Sequence, residues 1–122
     1  MDARLRAGIA LFNQGEFFQC HEALEAFYHD TVAENKPFLE GLVQLAAAFR
    51  LVCDFGEVRG PVRMIYQALI RCENYQPDFL QIRVTELCQA AEKWAKAAEA
   101  AGAKPAEADI PKIELHGSGF YS

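Results

Sequence analysis

The chain has 122 residues, 52% of them hydrophobic and 24% charged, with a formal net charge of −5. This balance suits one globular domain that buries roughly two-thirds of its unfolded surface, so neither disulfides nor a structural metal is needed to explain folding. The acidic balance argues against nucleic acid as the expected partner, because phosphate binding rests on concentrated cations, and the arginines here (Arg4, Arg6, Arg50, Arg59, Arg63, Arg71) are scattered, with only Arg59 and Arg63 able to make one basic face.

In chain order, helix signals dominate. Asp2 can cap a first helix whose apolar positions Leu5, Ile9 and Phe12 recur at helical spacing, and Asn13 with Gly15 ends it. A second helix is predicted from Glu16 to about Ala33. Pro37 suits the first turn of a third helix, which is apolar on nearly every side except at Glu40, Gln44, Arg50 and Asp54. A helix of that kind belongs in the middle of a bundle. Gly56 ends it, and Gly60-Pro61 starts a fourth carrying Val62, Ile65, Tyr66, Leu69 and Ile70. The pattern predicts a fifth helix from Pro77 to about Ala101, with Leu80, Val84, Leu87, Ala91 and Trp94 on one face. No strand alternation is long enough to support a sheet.

The predicted fold is therefore all-α: a compact single-domain bundle of about five helices over residues 1–102, followed by an extended or flexible tail over 103–122. In the tail, Ile110, Ile113 and Leu115 are expected to lie across the bundle, with the residues after His116 mobile. Cys20, Cys53, Cys72 and Cys88 lie far apart within apolar helical patterns and are expected as free thiols in a reducing cytoplasm. The N-terminus has no secretory pattern, and the most apolar segment, residues 38–53, is too short and too polar to span a bilayer, so no membrane partner is expected.

One cluster carries chemistry. On a wheel of about 100° per residue, Phe17, His21, Leu24, Tyr28 and Val32 form the inward stripe of the second helix, which places His21 among core positions. Residues three and four apart are neighbours on a helix, so His21, Glu25 and His29 can form a ladder with Glu22 beside it. Imidazole and carboxylate ligands suit a divalent ion such as zinc, iron or manganese, and a carboxylate beside a histidine can act as a base. Yet His21-Glu22-x-x-Glu25 is not the His-Glu-x-x-His of zinc proteases, and the paired Glu-x-x-His of di-iron bundles is absent. The alternative is a buried polar network, in which Glu25, the turn at Asn13 and the third helix's Gln44 and Glu40 satisfy a core histidine and lock the helices together. Trp94 reads as core, and Ser118 has no base placed beside it.

The run Phe12-Asn13-x-Gly15-x-Phe17-Phe18, then His21-Glu22-x-Leu24-Glu25, then Phe38-Leu39-x-Gly41-Leu42-Val43-Gln44 resembles the domain-of-unknown-function family numbered three-zero-nine. The resemblance implies a compact helical domain and makes Asn13, His21, Glu22, Glu25 and Gln44 members of a family motif. It implies no activity. The chain departs from the pattern at Tyr28, where a tryptophan often stands, and at Phe49-Arg50-Leu51, where many members carry a histidine.

Two functions follow. One is a non-catalytic binding module whose His/Glu network locks helices and which engages a protein partner, a small molecule or a second copy of itself. The other is a metal-assisted or acid–base hydrolase centred on His21 and Glu25.

Overall fold

The computed structural model describes residues 1–117; Ser118 and the rest of the tail beyond Gly117 lie outside the described residues. Five helices carry the fold: α1 (Ala3–Asn13), α2 (Phe17–Asp30), α3 (Lys36–Phe55), α4 (Arg59–Cys72) and α5 (Val84–Ala101). Each begins and ends for local reasons. The Asp2 carboxylate accepts from the Arg4 backbone N–H at 2.8 Å and caps α1. Pro37 sits in the first turn of α3, where its missing N–H costs nothing. Gly56 and Gly102 adopt left-handed conformations that close α3 and α5, an economical choice for a residue without a Cβ.

Every helix packs against the next in sequence. Pairing positions show that neighbours run antiparallel: Gly8 meets Leu24 and Phe12 meets Phe17 between α1 and α2. Glu40 pairs with Arg71, and Gln44 with Gln67, between α3 and α4. As expected, α3 is central, burying Phe38, Leu39, Leu42, Leu45 and Phe49 among others. Phe49 contacts Phe12, Phe17 and Trp94, so one ring links α1, α2 and α5. Trp94 is a core residue at 2% exposure. The four cysteines are free thiols, and burial pushes Cys20 and Cys72 up to about 12, which leaves them inert as nucleophiles.

Two expectations need correction. The fifth helix starts at Val84 rather than Pro77, because residues 78–83 form a short antiparallel hairpin, Asp78–Phe79 (β1) with Ile82–Arg83 (β2). Leu80 is a turn residue and not part of a helix face: both Leu80 and Gln81 have positive φ, +50° and +65°. Two consecutive left-handed residues make the tight turn that matches strand twist, but the usual Asn-Gly signature is missing, so the hairpin is silent in sequence. The Pro77 carbonyl accepts from Val84 and Thr85 N–H and thereby caps α5. The second helix also stops earlier than Ala33, at Asp30, and Ala33–Asn35 forms a 3₁₀ turn.

Residues 103–117 cross the bundle instead of continuing a helix. Ile113 is buried at 2%, while Ile110 and Leu115 pack partly buried on the core. Leu115 bridges Ile82, and Arg83 N–H donates to the Glu114 carbonyl at 2.9 Å, extending the hairpin by one partner.

Candidate functional site

In α2 the buried stripe is Phe17, Cys20, Leu24 and Phe27. The expected stripe through His21 and Tyr28 is thus displaced by one residue at two positions. Both alternatives have helical spacing, but only one buries a thiol and a phenyl ring in place of an imidazole and a phenol. Burying the apolar pair avoids desolvating polar groups, and that decides the rotation. His21 is consequently 38% exposed at its side chain and lies on the flank. We predict that His21→Ala changes stability by less than about 0.5 kcal/mol, as for other surface sites without special contacts. Thermal denaturation of the variant checks this.

The ladder itself is present. His21 Nε2 lies 3.5 Å from one Glu25 oxygen, and His29 Nε2 lies 3.7 Å from the other. Glu22 is exposed beside it. No hydrogen bond or ion pair from these residues reaches another helix among the described residues, so the ladder does not lock helices as expected. Among the described residues no group of three or more His, Cys, Asp or Glu is placed to hold a metal ion. The geometry explains why: Glu25 turns a different oxygen to each imidazole, so the face offers pairs of ligands and not a converging set.

Asn13 belongs elsewhere. Its Nδ2 donates to the Ile113 carbonyl at 2.9 Å, and its Oδ1 accepts from the Ile113 N–H at 2.7 Å. A side-chain amide here imitates a strand partner and ties the tail to the end of α1. Lys112 Nζ adds a bond to the Asn13 carbonyl at 2.8 Å, satisfying one of the C-terminal acceptors of α1. Asn13 is therefore separated in role from His21 and Glu25.

What does lie beside the ladder is a groove of about 370 Å³ between α2, α3 and α4. Val43, Ala47 and Met64 make its apolar floor; Glu25, Tyr28, His29, Glu40 and Gln44 make its rim. Cross-helix bonds hold the Tyr28, Glu40 and Gln44 part of that rim. Tyr28 donates its hydroxyl to Glu40 at 2.7 Å, and the Glu40 carboxylate pushes the Tyr28 hydroxyl above its ordinary pKa. Arg71 reaches Glu40 at 3.5 Å and donates to Gln44 Oε1 at 2.8 Å. Gln44 in turn donates to Gln67 at 2.8 Å. The structure so brings Glu25, His29 and Gln44 together around one groove, whose lining includes neither His21 nor Glu22, and places Asn13 against the tail. Tyr28 was expected on the inward stripe and not as a rim donor, and Arg71, Gln67 and Met64 were not singled out by sequence as site residues; the i, i+4 spacing of Gln67 and Arg71 on α4 was the available signal.

The class these features define is a small antiparallel helical bundle with a polar-rimmed, apolar-floored surface groove. Residues 5–64 match the model of the family described as a domain of unknown function, DUF309, which establishes the resemblance carried by the Phe-Asn and His-Glu motifs. Every residue lining the groove falls within that span. No curated protein matches the chain. No helix is long and apolar enough to cross a membrane among the described residues.

Proposed function

We propose that this chain is a non-catalytic binding module whose working surface is the groove between α2, α3 and α4, and that the groove receives an apolar side-chain stripe from a protein partner or a second copy. The observation that carries this reading is the contrast between floor and rim: three apolar side chains at the bottom, and above them a polar rim whose Tyr28, Glu40 and Gln44 are held by bonds between different helices. Such an arrangement is preorganised, so binding loses little to ordering of side chains. The four free cysteines support a reducing compartment, the cytoplasm. A thermal-shift screen of small apolar fragments, as stand-ins for a partner's side chains, tests the reading. Fragments should raise the melting temperature of the wild type and not of Ala47→Arg, which puts a cation in the floor. Fragments that stabilise both proteins equally, or neither, overturn it.

A second reading rests on Glu25, which lines the groove with an imidazole near each of its oxygens. In it the His21–Glu25 pair, completed by water, holds zinc, iron or manganese for a hydrolase. Elemental analysis of protein purified without chelator decides: near-stoichiometric metal that is lost in Glu25→Gln supports this reading, and metal-free protein removes it.

A further inference from the structure

A second cleft lies on the other side of α4, and its chemistry is opposite. It measures about 710 Å³ and runs between the first turns of α4 and the last turns of α5. Val58 and Val62 form apolar walls, and Arg59 and Arg63, one turn apart on α4, both line it. Arg4, Arg50, Arg71 and Arg83 each have a carboxylate partner, whereas Arg59 and Arg63 have none among the described residues. The carboxylate in the cleft is Glu99, and it accepts the Tyr66 hydroxyl at 2.6 Å. That bond turns Glu99 toward the tyrosine instead of the arginines.

In a protein of formal charge −5, two guanidinium groups without partners in one apolar-walled cleft are an unusual concentration of positive charge. Guanidinium is a planar fork that matches carboxylate and phosphate oxygens in pairs, and two of them on one helix face can hold one anion from both sides. The volume is in the range of small-molecule sites, roughly 300–1,000 Å³. We infer that this cleft is a binding site for a small organic anion, a phosphate ester or carboxylate with an apolar body, its charge on Arg59 and Arg63 and its body against Val58, Val62 and the Tyr66 ring. The inference is independent of the groove described above, which shares no lining residue with it.

The test is a titration of ¹⁵N-labelled protein with phenyl phosphate, benzoate and benzylamine at low salt. Phenyl phosphate, benzoate or both should give saturable shifts at Gly60, Val62 and Gly102; which of them binds more tightly separates the phosphate and carboxylate sources of the anion. Benzylamine should give none there. In the Arg59→Ala, Arg63→Ala double variant, whose replaced side chains are exposed, affinity should fall about ten- to a hundredfold, the loss expected for charge-assisted hydrogen bonds. Absence of saturable shifts with both anions, equal binding of benzylamine, or anion binding unchanged in the double variant would each overturn the proposal. The comparison of anions with the amine on wild-type protein stands even if the variant does not fold.

Discussion

Gly41→Ala is expected to destabilise the protein by about 1–2 kcal/mol, the cost of overpacking a filled interface less the helix propensity gained. Propensity alone gives the opposite sign, since alanine is favoured over glycine inside a helix by about 1 kcal/mol. The interface between α3 and α4 decides against it. A Cβ at Gly41 would stand 2.5 Å from the Cys72 sulfur and 3.3 Å from the Ala68 carbonyl oxygen. Cys72 is buried at 1% and cannot swing into solvent, and the Ala68 oxygen is backbone, so α3 and α4 must separate. Because Glu40, Gln44, Gln67 and Arg71 span this same interface, separation also loosens the groove rim. Chemical denaturation of Gly41→Ala, Cys72→Ala and the double variant measures the effect. The double variant should be more stable than the sum of its two single losses implies, since each change makes room for the other. Strict additivity would place the cost somewhere other than this contact.

Asn13→Ala is expected to cost about 2 kcal/mol and to free the tail. Two hydrogen bonds disappear together, and the Ile113 N–H and carbonyl they satisfied are partly buried, which adds a desolvation cost to each loss. The loss should be local: amide exchange at Ile113 and its neighbours should rise, while exchange in α3 stays slow, because the tail is a peripheral unit that can open by itself. Asn13→Asp should retain only the bond from the Ile113 N–H and fall between. Exchange that rises equally throughout the bundle would contradict this division.

These two residues show how much could be read in advance. Helix-end signals are local, and Asp2, Pro37, Gly56 and Gly102 each mark an end where the structure has one. Centrality of α3 followed from its lack of a polar face. The rotation of α2 was hard to read, because stripes through Cys20 and Phe27 or through His21 and Tyr28 are both helical; only the lower cost of burying a thiol and a phenyl ring separates them. Asn13 looked like a turn residue, and its partner stands one hundred positions away, beyond any local pattern. The hairpin at residues 78–83 is built on Leu80 and Gln81 in a conformation those residues rarely adopt, so tertiary contacts with the tail override local preference there. The groove was half legible: Glu25, His29 and Gln44 stood out as polar residues of the family motif and its ladder, while nothing in the sequence marks its apolar floor of Val43, Ala47 and Met64 as a surface.

Whether that floor binds anything can be read directly, because the chain supplies its own reporter. It contains two methionines, Met1 at the terminus and Met64 in the groove floor. With ¹³C-methyl methionine, the spectrum reduces to two signals, one inside the proposed site and one far from it in sequence. Apolar fragments added stepwise should move the Met64 methyl along a saturable curve and leave Met1 in place. A Met64 signal that stays fixed across the fragment set, or moves only in step with Met1, would contradict a binding groove between α2, α3 and α4.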